Sequence, residues 1–182
     1  MEVRVHGRGG QGGVTSAEML AIAAINEGKF AQAFPSFGPE RRGAPVIAFA
    51  RVSDQKIRNR TKVYSPDVVL VLDPSVLSIV DVEEGLKSDG MLVINSAKSV
   101  AELRRDYGFK TSLARVDATR IAMEELGLPI TNTTMLGAAV KACALIPVAA
   151  LVGPLEARFG RIAARNIKAM QRAYDETEID LI

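Results

Sequence analysis

The front of the chain constrains its fold most. Glu2-Val3-Arg4-Val5-His6 alternates apolar and polar residues and runs straight into Gly7-Arg8-Gly9-Gly10-Gln11-Gly12-Gly13. Val14-Thr15-Ser16-Ala17-Glu18-Met19-Leu20 then opens an Ala/Ile/Leu-rich stretch reaching about Asn26. Such alternation predicts a strand over 2–6, and the apolar stretch behind the glycines predicts a helix. Strand, glycine loop and helix in that order form the opening unit of an α/β sheet. The helix should stop at Glu27-Gly28-Lys29, where glycine takes the left-handed cap conformation.

The pattern continues downstream. Phe30 to Phe34 predicts a second strand and Val46 to Val52 a third, close enough to return antiparallel. Val68 to Leu72, Met91 to Asn95 and a weaker Ser112 to Val116 are mostly continuous apolar runs, as expected of parallel strands covered on both faces. Helices are expected at about 75–85, 97–106 and 118–126, the last ended by Gly127-Leu128-Pro129. After Pro129, Asn132 or Thr133 is placed to cap a helix over 133–145, Pro147 to enter the first turn of another, and 161–174 forms a third. The tail from Asp175 to Ile182 is expected to be loosely held. The fold class that follows is a three-layer α/β/α Rossmann-like domain, with a mostly parallel central sheet and a helical C-terminal part. With 182 residues, 48% hydrophobic, it is expected to be one domain over 1–182.

Composition narrows the chemistry. A net charge of +2 with 24% charged residues suggests neither a nucleic-acid surface nor an acidic solvated chain. Cys143 is the only cysteine and His6 the only histidine. A cluster needing about four thiolates cannot be held by this chain alone, and a His/Cys zinc site is excluded. A self-contained Ser-His-Asp or Cys-His pair is not expected, and no catalytic residue is assigned. The first strand leaves no room for a signal peptide, so a cytoplasmic location is expected. Met135 to Val152 is apolar, but Gly137, Lys141 and Pro147 interrupt it, which predicts buried helices and not a membrane span.

Each motif carries a functional and a bland reading. Gly7, Gly9 and Gly12 satisfy G-x-G-x-x-G at a helix start, where backbone N–H groups and the helix dipole suit a phosphate or carboxylate. NAD is disfavoured, because Gln32-Ala33-Phe34 stands where a ribose-binding acid belongs. Equally, the glycines serve tight packing alone. The stretch from Phe34 to Pro45 combines Phe34, Phe37, Arg41, Arg42 and three prolines, the residue types that anchor interfaces; otherwise its aromatics fold back onto the domain's own core. Asp73 lies at the carboxyl end of a strand and is expected chiefly to cap the following helix, as is Asn95-Ser96. His6 reads as a hydrogen-bonded structural residue and Cys143 as a small core residue. Met135 to Val140 mixes small and apolar residues, which predicts close helix packing.

Gly7-Arg8-Gly9-Gly10-Gln11-Gly12 with Thr15-Ser16-Ala17-Glu18, followed by Gln32 to Pro45, resembles the gamma subunit of pyruvate or 2-ketoisovalerate:ferredoxin oxidoreductases. Pro66 to Leu70, Asn95-Ser96 and Asn132-Thr133-Thr134-Met135-Leu136-Gly137-Ala138 continue the likeness over nearly the whole chain. The resemblance implies a non-autonomous subunit of a complex that oxidatively decarboxylates a 2-oxoacid, most often pyruvate, reduces ferredoxin and forms an acyl-coenzyme A. It implies thiamine diphosphate, magnesium and iron–sulfur clusters on alpha, beta and delta-type partners, with coenzyme A enclosed in part by this chain. It makes Gly7, Gly9, Gly10, Gln11, Gly12 and Thr15 the candidate cofactor-binding set. Phe34, Phe37, Glu40, Arg41 and Arg42 become candidates for partner or anion contact. No metal ligand, nucleic acid or membrane is expected. The alternatives are 2-ketoisovalerate, 2-oxoglutarate or indolepyruvate as substrate, and a free-standing nucleotide-binding module.

Overall fold

The computed structural model describes residues 1–36 and 43–182. Elements follow one another as β1 (Glu2–Arg8), α1 (Gly13–Asn26), β2 (Phe30–Pro35), β3 (Pro45–Ser53), β4 (Val68–Val71), β5 (Met91–Asn95), α2 (Val100–Tyr107) and β6 (Ser112–Val116). Then come α3 (Ala118–Leu126), α4 (Asn132–Cys143), α5 (Val152–Phe159), α6 (Ala163–Glu176) and β7 (Glu178–Asp180), with short 3-10 turns at 74–78, 148–151 and 160–162.

The strands form one sheet in the order β2-β3-β1-β4-β5-β6-β7. β1, β4, β5 and β6 run parallel, while β3 lies antiparallel to both β1 and β2, as the short connection between the second and third strands predicts. The central parallel strands β4 and β5 are buried end to end because side chains on both faces have somewhere to go. Val3, Val5, Leu70 and Val93 meet α1, α3, α4, α5 and α6, whereas Val69, Val71, Leu92 and Ile94 meet Leu103 of α2, Val76, Val82 and Phe109. This is the expected three-layer α/β fold. Burying Leu103 alone, the one buried side chain of α2, is worth about 2 kcal/mol, and it holds that helix to the sheet.

Close helix packing is also seen where the small residues predict it. A Cβ at Gly137 of α4 would stand 2.0 Å from the Met170 carbonyl oxygen of α6, so the two backbones meet through a gap only glycine leaves.

Four expectations need correction. The tail is not loose: β7 pairs antiparallel with β6, and its Glu178 and Asp180 are salt-bridged to Arg115 and Arg104. The helix expected at 75–85 is a single 3-10 turn followed by irregular chain, because Asp81 ties back to the Glu83 amide and Gly85 takes φ 71°. Helix α2 is capped by Ser99 in a reciprocal capping box with Glu102, and not by Asn95-Ser96. Helix α4 begins after Thr131 with no side-chain cap among the described residues. Among the described residues no helix is long and apolar enough to cross a membrane.

Candidate anion cradle at the glycine loop

The glycine loop lies at the carboxyl edge of the parallel strands, where open α/β sheets hold their ligands. Gly10 and Gly12 sit at φ 92° and 78°, which a side chain would oppose. At Gly12 a Cβ would also come within 2.4 Å of Asn132 Nδ2.

Gln11 braces the loop from inside. Its Oε1 accepts from the Arg8 amide at 2.7 Å and its Nε2 donates to Asp73 Oδ2 at 2.6 Å. Asp73 serves two ends at once. Its Oδ1 accepts from the Ser75 amide at 2.8 Å, the predicted cap, and its Oδ2 lies 3.6 Å from Arg8 Nε. Burial alone would raise the Asp73 pKa, but the hydrogen bonds from Ser75 and Gln11 and the charge of Arg8 outweigh it and hold the carboxyl below its ordinary range. Arg8 in turn donates to Ser75 Oγ at 2.7 Å and to the Gly43 carbonyl at 2.8 Å, and the Gly9 amide donates to Ala44. Arg8 was not singled out from the sequence, although an arginine inside a glycine loop is itself a signal.

Two helix starts converge here. The first turn of α1, containing Thr15, has neither an acidic residue nor a side-chain cap, and the first-turn amides of Gly13, Val14 and Thr15 find no acceptor among the described residues. The α4 start likewise has no side-chain cap and no acid in its first turn, and it touches α1 where Ser16 Oγ donates to the Asn132 carbonyl at 3.2 Å. Asn132 Oδ1 is buried without a hydrogen-bond partner among the described residues. A cleft of about 300 Å³ opens beside the loop, lined by Arg8, Gly9, Gly10, Gly12, Val14 and Val46. Unfilled N–H groups, two positive helix ends and one arginine suit a phosphate or carboxylate.

The other predicted residues divide. Of the predicted set, Gly9, Gly10 and Gly12 line this cleft, Gln11 braces the loop through Arg8 and Asp73, and Gly7 and Thr15 are not among the lining residues. Phe34 lies apart on β2, its ring 5.3 Å from Phe49 and covered by the Arg51 guanidinium at 5.3 Å, so it packs on the domain's own sheet. Phe37, Glu40, Arg41 and Arg42 lie outside the described residues. Asn95 is a clamp: its Nδ2 donates to the Leu72 carbonyl and Thr119 Oγ1, both at 2.9 Å, tying β5 to β4 and α3. His6 is buried on the face opposite α1, and its Nε2 has no partner among the described residues, contrary to the expected hydrogen bond. Burial and the nearby Arg4 lower its pKa to about 4. Cys143 is half-buried at the margin of the core and not fully inside it; its thiol donates to the Ala139 carbonyl, and burial pushes its pKa up to about 11. Among the described residues no group of three or more His, Cys, Asp or Glu is placed to hold a metal.

Residues 2–176 match the family described as pyruvate ferredoxin/flavodoxin oxidoreductase. The chain belongs to this family. Among the members of the pyruvate ferredoxin/flavodoxin oxidoreductase family that it resembles is the "Pyruvate/ketoisovalerate oxidoreductases common subunit gamma" of Pyrococcus abyssi, 51% identical over 98% of both chains. Another is "Pyruvate synthase subunit PorC" of Methanothermobacter thermautotrophicus, 47% identical over 98% of this chain and 96% of the relative. The crystal structure of pyruvate oxidoreductase subunit PORC from Thermotoga maritima superposes with a TM-score of 0.88 at 38% identity, covering 99% of this chain and 98% of that one. That structure thus shares this chain's architecture over nearly its full length.

Proposed function

We propose that this chain is the gamma subunit of a pyruvate-type 2-oxoacid:ferredoxin oxidoreductase, a non-autonomous part of an enzyme that converts a 2-oxoacid and coenzyme A to an acyl-coenzyme A while reducing ferredoxin. The observation that carries this reading is the full-length match to relatives that are named as gamma or PorC subunits. The sequence supports the non-autonomous part: with one cysteine and one histidine, the chain lacks the thiolates for an iron–sulfur cluster. Thiamine diphosphate, magnesium and the clusters then belong to alpha, beta and delta-type partners, in the cytoplasm.

The chain's own contribution is positioning. The amides of the glycine loop and the Thr15 hydroxyl suit an anionic group of coenzyme A, because both helix starts lack acids and side-chain caps and Gly10 and Gly12 let the backbone approach. The Pyrococcus relative is named as common to pyruvate and ketoisovalerate oxidoreductases, which supports pyruvate or ketoisovalerate here; on this reading the choice between them falls to the other chains. Recovery of a tagged chain from anaerobic cells tests the proposal. Companion subunits with thiamine and iron–sulfur groups are expected, with 2-oxoacid-dependent ferredoxin reduction. A solitary chain that binds a nucleotide by itself would refute it.

A further inference from the structure

The stretch Gln55-Lys56-Ile57-Arg58-Asn59-Arg60-Thr61-Lys62 places a cation at every second residue, and no acid occurs between Asp54 and Asp67. Lys56, Arg58, Arg60 and Lys62 are all exposed, and none has an ion-pair partner among the described residues. The flanking acids are already engaged, Asp54 by Lys29 at 2.6 Å and Asp67 by Lys87 at 2.6 Å. Four like charges crowded into seven residues, well within a few Debye lengths, repel one another and gain nothing for the folded chain.

The stretch is nonetheless held in place. Arg51, buried on β3, donates through Nη2 to the Lys62 carbonyl at 3.1 Å while its Nε pairs with Glu2 Oε1 at 2.5 Å, and Val63 is buried behind it. Arg60 and Lys62 then form one wall of a groove of about 460 Å³ whose other walls are Gln32, Ala33, Phe34 and Pro35 of β2. An apolar floor with a cationic rim matches the anatomy of a protein interface. It is poorly suited to nucleic acid. The Phe34 ring is already engaged by Arg51 and packed against Phe49, and the whole chain carries only +2.

From charge complementarity we infer that the 56–62 stretch and the adjoining β2 groove form a docking surface for an acidic segment of a companion subunit, apolar at its centre and rich in Asp and Glu around it. This rests on the subunit reading above and says where on the chain, and by what chemistry, the assembly is held. It shares no lining residue with the glycine-loop cleft.

The test compares the coexpressed complex containing the wild-type chain with one carrying Lys56→Glu, Arg58→Glu, Arg60→Glu and Lys62→Glu together, and with the neutral quadruple Gln variant. The dissociation constant for the companions should rise on the order of 10-fold or more for the Glu variant at 0.1 M salt, less for the Gln variant, and the gap should close toward 0.5 M salt. Zero-length carboxyl-to-amine cross-linking of the wild-type complex should join Lys56 or Lys62 to Asp or Glu of a companion. Unchanged affinity and salt dependence in a complex that assembles normally would overturn the surface while leaving the subunit reading intact. A wild-type chain with no affinity for the companions would overturn both. Binding of a single-stranded oligonucleotide at 0.15 M salt, lost in the Glu variant, would overturn the protein partner in favour of nucleic acid.

Discussion

His6 is the group whose titration should dominate the chain's acid sensitivity. It is buried at 3% exposure on β1, between Ile47 of β3 and Val71 of β4, its Nε2 has no hydrogen-bond partner among the described residues, and burial and Arg4 hold its pKa near 4. A histidine depressed from its ordinary 6.5 is neutral when folded but takes a proton when unfolded, so its share of stability is complete above pH 6.5 and is lost as the pH falls toward 4. At about 1.4 kcal/mol per pH unit the full loss is about 3 kcal/mol, and about 2 kcal/mol of it is gone by pH 5. Carboxylates titrate near the lower end of this window too, so the measurement is a difference. His6→Phe keeps a ring of similar size with no site for a proton. Urea unfolding followed by circular dichroism at pH 8 and pH 5 should show the wild-type midpoint falling about 1 M further than the variant's, for a urea slope of about 2 kcal/mol/M. Parallel falls would refute the reasoning and mean that His6 is solvated or partnered when folded.

Two further outcomes are expected. Gly137→Ala should destabilise the chain by about 3 kcal/mol in urea unfolding, because the new Cβ meets the Met170 carbonyl and α6 must move, whereas Gly153→Ala, where nothing lies within 4 Å, should change little. Cys143 should react far more slowly with a thiol reagent at pH 8 than the same cysteine in urea, since burial holds its pKa near 11; equal rates would place it on an open surface.

The fold was legible because its signals are local and repeated. Apolar runs such as Val68–Val71 and Met91–Asn95 have one stable home, the centre of a sheet covered on both faces. β7 was missed because Glu-Ile-Asp carries no pattern. It is a strand only because β6 offers a free edge and Arg104 and Arg115 wait there for its acids. The cap at Asn95 was misread for a related reason: asparagine at a strand end looks the same whether it caps the next helix or ties its strand to neighbouring elements. At the candidate site the glycines announced themselves, but the Gln11–Asp73 brace joins residues 62 apart and rests on β1 and β4 becoming neighbours. The cations of 56–62 were visible all along in the sequence. Only the neighbouring groove gives them a purpose.

The two edges of the sheet differ in how they meet a stray chain. β7 is three residues long and two of them are acids already bonded to arginines, so it offers an incoming strand almost no ladder. β2 is six residues long, Phe-Ala-Gln-Ala-Phe-Pro, without a single charge in its backbone-pairing run. A preparation stripped of other proteins is thus prone to one-sided strand addition, β2 against β2. Such contacts are self-limiting two-fold pairs and not filaments, since the far edge is blunted. A dimer that forms on storage would then trace to this single seam, and a lysine set into it would be the remedy.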